Sequence, residues 1–299
     1  MSLVPEHFAD MIEIREGEEG EAWVAALPGQ VDSLLASWGL SLDGETRFGY
    51  VGIVVPVRCA DDTPAALKVS YPDADSAGEA PTLSAWDGDG SVRLLAQDES
   101  GFALLLERLE PDRSLFAVPV DEGVSTLGAL LSRLHRTAAP AGLARLADQS
   151  RRWLDTIPPR WDRHLRTADA RLLDAALATL REVGPCAGDA LLHGDPHYGN
   201  VLAGTREPWL VIDPKGLAGD PEFEVAPALW NRVDELVLAD DPRRAIRRRT
   251  DQLCEAAGLD RGLAYRWTVV RAVEDVLWRM EHDPDPQAPH LLIAEALLD

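Results

Sequence analysis

The chain has 299 residues, of which 46% are hydrophobic and 27% charged, and its 51 acidic against 29 basic side chains leave a formal charge of −22. Such a surface repels phosphate polymers, which argues against nucleic acid or an anionic membrane as partner and permits a cationic ligand. No apolar run of about 18 residues offers a membrane span, the acidic N-terminus has no secretory layout, and three scattered cysteines (Cys59, Cys186, Cys254) suit a reducing cytoplasm and give neither a disulfide framework nor a zinc motif.

Residues 21–38 put apolar side chains at helical spacing and predict a leading helix with a Pro-Gly interruption. The period then shortens. LSLDGETRFGY, VGIVVPVRC and AALKVSY predict three strands of an antiparallel meander. Residues 76–86 read as a short helix with Pro81 in its first turn. SVRLLAQDES and GFALLLERL add a hairpin, which makes about five strands by residue 109. Beyond Glu110-Pro111 the pattern is helical, over 123–137, 143–155, 160–183, 243–257 and 262–281. In the last of these Trp267, Val270, Val273, Leu277 and Trp278 lie near one face. The basic run RRAIRRR (243–249) reads as a solvated helix face near Asp240, Asp241 and Asp251. The expected architecture is α+β in two lobes: residues 1–106 as a sheet lobe with a leading helix, 107–113 as hinge, and 114–299 as a helical lobe. A ligand cleft is expected between the lobes.

The chemistry concentrates in LLHGDPHYGNVL (191–202), where four polar side chains stand between apolar flanks. Three readings compete there. His193, Asp195 and His197 alternate as metal ligands on a strand would. A purely structural polar knot is the bland alternative. Asp195 and Asn200 also fit D-x-x-x-x-N, the spacing of kinase catalytic loops, in which Asp orients the attacking hydroxyl and Asn binds magnesium. The following segment favours the third reading, because Val201 to Ala203 and WLVIDPKG form a hairpin that returns Asp213 beside Asn200.

The first third of the chain offers matching parts. Lys68 lies inside an apolar strand, where an ammonium needs a partner or a phosphate, and Glu79 in the next helix is placed to pair with it. The backbone N–H groups of Gly49 to Gly52 could cover phosphates, although the full G-x-G-x-x-G pattern is missing. Glu107, Arg108 and Leu109 at the connector would present backbone to an adenine edge.

These residues resemble the aminoglycoside phosphotransferase superfamily, which shares the protein-kinase fold, and more narrowly its streptomycin 6-phosphotransferase and hydroxyurea-resistance group. The likeness is carried by GEEGEAWVAALP, TPAALKV, WDGDGSVRLL, LLLERL and the segments around HGDPHYGN and VIDPKGLAGDPEFEVA, over roughly residues 15–297. It implies Asp195 as base, Asn200 and Asp213 as Mg²⁺ ligands, Lys68 with Glu79 on the phosphates, and residues 107–109 as hinge. It further implies ATP as donor and an antibiotic hydroxyl as acceptor, in a monomer or weak dimer. Two departures stand out: Pro196 follows the base where Leu is usual, and Glu224 replaces the usual Asp in GDPEFEVA. Asp220 is expected to brace the loop through backbone hydrogen bonds. For a cationic acceptor, Glu224, Asp234, Glu235, Glu274 and Asp275 are candidate contacts. The alternatives are a kinase of another small molecule, such as hydroxyurea or a hydroxylated metabolite, and a pseudokinase that only binds nucleotide.

Overall fold

In the computed structural model, which describes residues 3–282 and 289–298, the chain opens with one long helix, α1 (Glu6–Trp38). Pro28 lies within it and does not interrupt it, contrary to the expectation of a Pro-Gly break. A proline costs an isolated helix about 3 kcal/mol. Leu27, Val31 and Leu34 flank it and are buried. Each such side chain contributes roughly 1.5–3 kcal/mol, so burial wins. The departure from helical geometry comes earlier, at Gly17, whose φ of 62° and ψ of −140° suit only glycine.

A wholly antiparallel sheet follows. Its strands are β1 (Ser41–Leu42), β2 (Arg47–Phe48), β3 (Gly52–Arg58), β4 (Pro64–Ser70), β5 (Leu94–Gln97) and β6 (Ala103–Glu107). Their order is β1-β3-β4-β6-β5, with β2 also on β3. The first predicted strand is split: Leu42 pairs Val57 and Arg47 pairs Val54, while Asp43 to Thr46 loop out around Gly44 at φ 148°. Alternation along β4 sends Ala65, Leu67 and Val69 into a core shared with Phe8, Ile12, Leu27 and Val31 of α1. By the same period Lys68 belongs to the opposite face. There it meets α2 (Glu79–Trp86), which keeps Pro81 in its first turn as expected.

The first compact unit ends at Glu110 and the second begins at Pro111. Strand β7 (Glu110–Ser114) begins on the last residue of the first unit, and the second continues with α3 (Val120–Leu134), β8 (Ala144–Arg145), α4 (Leu146–His164), α5 (Ala170–Glu182), β9 (Ala190–Leu192), β10 (Val201–Ala203), β11 (Leu210–Val211), β12 (Leu217–Gly219), α6 (Val225–Trp230), α7 (Val233–Val237), α8 (Pro242–Ala257), α9 (Arg261–His282) and α10 (Pro289–Leu297). Its core helix is α9, which buries Trp267, Val270, Val273 and Leu277 and packs on α4, α5, α6 and α10. Trp278 departs from its expected place on that face and is exposed. The third helix packs on α8, and Gly128 permits this, since a Cβ there would lie 2.5 Å from that of Ala256. The expected break between 155 and 160 is absent, because α4 runs through Pro158-Pro159. Trp153, Ile157 and Trp161 form a buried stripe at four-residue spacing that outweighs the lost N–H groups. The basic run is largely the solvated face expected, with Arg243, Arg244, Arg247 and Arg248 exposed, and Arg249 departs from it by being buried. Arg249 is buried against Glu235, Arg243 pairs with Glu295 and Arg248 with Asp121, while Asp241 caps α8 through the Arg244 N–H. Among the described residues, no helix is long and apolar enough to cross a membrane.

Candidate active site

In the first unit Lys68 and Glu79 form the pair that their spacing predicts. The ammonium lies 2.7 and 2.6 Å from the two carboxylate oxygens, with Lys68 8% and Glu79 3% exposed. Neither charge tolerates this burial without a counter-ion, so each fixes the other's rotamer. Gly52 is dictated by proximity, because a Cβ there would stand 2.6 Å from the Val69 carbonyl oxygen. The Gly49 amide departs from its expected use: it donates to the Gly52 carbonyl at 2.9 Å, closing the turn, and is not turned to a phosphate. The Glu107 N–H is taken as well, by the Arg93 carbonyl at 2.9 Å. Arg108 staples the sheet with its side chain, donating to the carbonyls of Ala65 (2.8 Å) and Val57 (3.0 Å) and pairing with Asp43. Leu109 is buried.

In the second unit the residues from Ala190 to Gly219 form one hairpin set inside another. The inner pair, β10 and β11, registers Val201 with Val211; the outer pair, β9 and β12, registers Leu192 with Leu217. Two connections join inner to outer strands, 193–200 and 212–216, and paired strands at both ends force them side by side. His193 ties them together. Its Nε2–H donates to the Ile212 carbonyl at 2.9 Å, its Nδ1 accepts the Asp195 N–H at 3.3 Å, and its carbonyl accepts the Lys215 N–H at 2.7 Å. Burial pushes this imidazole below the ordinary histidine pKa, against the pull of Glu224, Asp195 and Asp213. With Nε2–H given to the Ile212 carbonyl and Nδ1 accepting the Asp195 N–H, the His193 ring is committed to the backbone, which argues against the His193–Asp195–His197 metal reading. Among the described residues, no group of three or more His, Cys, Asp or Glu side chains could hold a metal ion.

Asn200 Nδ2 donates to the Asp195 carbonyl at 3.1 Å, and the Asn200 carbonyl accepts the Ile212 N–H at 2.9 Å. The hairpin thus brings Asn200 beside the segment carrying Asp213, as its sequence spacing predicts. Asp213 sits at φ 59°, a left-handed backbone that aspartate tolerates better than most residues. His197 turns its Nε2 toward Asp195 Oδ2 at 3.8 Å, and its Nδ1 accepts the Gly199 N–H.

The acidic candidates separate. Glu224 is fully buried and holds the Gly194 N–H at 2.5 Å and His135 Nε2 at 2.8 Å. With no exposed surface, it holds the loop and is not placed to touch an acceptor. Asp220 does bond backbone, but that of Gly188 (2.7 Å) ahead of β9, together with Trp267 Nε1 (3.0 Å), and not the 193–200 loop. Glu235 is spent on Arg232 and Arg249, and Asp234 is exposed on the same short helix. On α9, burial raises the Glu274 carboxyl above its usual range although Arg160 is 3.4 Å away. Burial also acts on Asp275, but hydrogen bonds from His290 and Arg279, each at 2.7 Å, outweigh it and hold the group low. Four residues of this site lie outside the sequence-derived set: His135, His193 in its bridging role, Lys215 and Arg271. His193 and Lys215 stood in quoted motifs without a role assigned to them; His135 and Arg271 reach the loops from positions that no spacing rule connects.

Residues 37–283 match the model of the aminoglycoside/hydroxyurea antibiotic resistance kinase family. The chain belongs to that family. It is 42% identical over 298 residues to a streptomycin 6-kinase of Streptomyces glaucescens, covering 98% of this chain and 96% of that one. It is also 42% identical over 300 residues to a hydroxyurea phosphotransferase of Kitasatospora aureofaciens, covering 97% and 85%. Among solved structures, a macrolide 2'-phosphotransferase of Brachybacterium faecium aligns over 92% of this chain and 98% of that one, at 20% identity and a TM-score of 0.56. The kinase-like α+β fold and the phosphotransferase class expected from the sequence are both borne out.

Proposed function

We propose that this kinase transfers the γ-phosphate of ATP to a hydroxyl of a small cationic antibiotic, an aminoglycoside of the streptomycin type. Asp195 orients the acceptor hydroxyl and takes its proton late in the transfer. Lys68, its rotamer set by Glu79, addresses the α- and β-phosphates, and residues 107–113 serve as hinge, with the backbone of the connector meeting the adenine edge. Asn200 and Asp213 would hold Mg²⁺. An amide oxygen and a carboxylate are hard donors that suit this ion, and since Asn200 Nδ2 is committed to the Asp195 carbonyl, Oδ1 is the end it offers. When bound, the ion neutralises charge on the transferred group. Positioning and fixed charges supply most of the acceleration.

The observation that carries this reading is the hydrogen-bonded closure of the 193–200 loop onto residues 212–216, made by His193 and Asn200. A protein that only bound nucleotide would have no use for a carboxylate so held. The net charge of −22 and coverage of 96% of the streptomycin 6-kinase favour a guanidinium-bearing aminoglycoside. Equal identity to the hydroxyurea phosphotransferase supports hydroxyurea as the second reading. ADP release with each acceptor, and the mass of the product, separate the two. Asp195→Ala is expected to abolish turnover and keep the thermal shift given by Mg²⁺·ATP. Turnover that survives in this variant disproves the base assignment, and no turnover with either acceptor refutes the substrate reading.

A further inference from the structure

Arg271 belongs to no motif, yet α9 delivers it to the loop that carries Asp195. Its Nη1 donates to the Gly194 carbonyl at 3.1 Å and reaches the Phe223 carbonyl at 3.4 Å. The guanidinium lies over the Phe223 ring at 4.5 Å and the Trp230 ring at 5.3 Å. Gly194 is consequently held on both sides, its N–H by Glu224 and its carbonyl by Arg271. The peptide joining Gly194 to Asp195 is held at both polar atoms too, its carbonyl by Arg271 and its N–H by His193 Nδ1. A planar peptide gripped at its oxygen and its nitrogen has no rotational freedom, and its orientation sets the direction in which the Asp195 side chain leaves the backbone.

A guanidinium in this slot is costly: burial pulls its pKa below the arginine range, while the charges of Asp195, Glu224, Asp275 and Glu274 push the other way. An apolar side chain would fill the space between the two rings without that cost. What only a guanidinium provides is a planar donor that stacks on aromatic faces while grasping backbone oxygens.

We infer that Arg271 is a positioning residue for phosphoryl transfer, orienting the Gly194–Asp195 peptide so that the base points at the acceptor. The inference rests on the kinase reading above and assigns to α9 a role in turnover. Steady-state kinetics of Arg271→Met, Arg271→Lys and Arg271→Ala test it, per mole of enzyme that binds nucleotide. For Arg271→Met, kcat is expected to fall on the order of 10²-fold, the effect of misplacing a reacting group by about an ångström, with both KM values nearly unchanged. Arg271→Lys keeps the charge without the planar fork and should lie between Arg271→Met and wild type. Millimolar guanidinium should restore part of kcat in Arg271→Ala and leave wild type and Asp195→Ala unaffected.

A merely structural arginine would lower Tm and leave kcat of the folded fraction alone. Wild-type kcat in folded Arg271→Met overturns the inference; if that variant does not fold, wild-type kcat in Arg271→Lys does so. Loss of kcat that guanidinium fails to repair assigns the effect to packing between the rings and overturns it as well. If wild type phosphorylates no acceptor, the kinase reading fails before Arg271 is tested.

Discussion

Replacing Glu224 by alanine should cost more than any surface change, and its size follows from what the carboxylate holds. Glu224 is fully buried and accepts from the Gly194 N–H at 2.5 Å and from His135 at 2.8 Å. Hydrogen bonds to a charged acceptor contribute about 1.5–3 kcal/mol each, and alanine also strands a buried N–H. Relief of the carboxylate's own desolvation offsets part of this. The expected net loss is about 3–5 kcal/mol, the cost of removing one partner from a buried pair. At roughly 2–4 °C per kcal/mol, the melting temperature should fall by about 10 °C. Urea unfolding followed by tryptophan fluorescence measures it, since Trp153 and Trp267 both pack on neighbouring Phe223. Glu224→Gln, which can keep the Gly194 bond, should lose less. The pH dependence carries a definite sign. Burial pushes the Glu224 carboxyl up, but His135, His193 and the Gly194 N–H outweigh it and hold the group below its ordinary value of 4.5. A depressed pKa stabilises the fold above that value, and the contribution disappears as the pH falls through the folded pKa. The gap between wild type and Glu224→Ala should therefore close in acid. A gap below about 1 kcal/mol at neutral pH would refute the reasoning.

Gly194→Ala forces a side chain onto φ 88° and sets its Cβ 2.9 Å from that of Lys215. The strain alone is about 1–2 kcal/mol, and both stability and kcat should drop. Lys68→Met leaves Glu79 buried with its main cation gone, so it should destabilise the first unit by about 3–5 kcal/mol, and the Lys68→Met/Glu79→Gln double variant should recover part of that; additive losses in this cycle would show the pair to be uncoupled. Burial pushes the Tyr198 hydroxyl from 10.0 to about 12 and the Cys254 thiol from 9.0 to about 12, so stability should hold below those ordinary values and decline as pH rises toward 12, which tyrosinate absorbance would follow. Ellman's reagent should label exposed Cys186 promptly and buried Cys254 only on unfolding; equal rates would contradict the packing of α8.

The parts read most directly from the sequence are those in which local pattern and tertiary role coincide. Lys68 in an apolar strand needs a counter-charge within reach, and Glu79 at the start of the next helix supplies it. The hairpin after Asn200 is equally legible, because a turn between two apolar runs permits little else. Prolines misled where packing outweighed propensity: Pro28 and Pro158-Pro159 each lie beside buried stripes strong enough to keep the helix whole. The acidic cluster misled differently, since a carboxylate's partners cannot be read from its own neighbours in the chain. Glu224 was placed among acceptor contacts and proves to hold the loop, and Arg249, counted as solvated, neutralises Glu235.

The sequence by itself determined which groups are available for chemistry, their order along the chain and the family to which they belong, because these depend on residue identity and short spacing. Only the tertiary structure decided what holds them still. His135, Arg271 and Glu224 reach Gly194, or one another, across 30 to 89 positions of chain, directly at 2.5 to 3.1 Å. Contacts of that range arise from how helices pack around a shared core, and no local pattern encodes them.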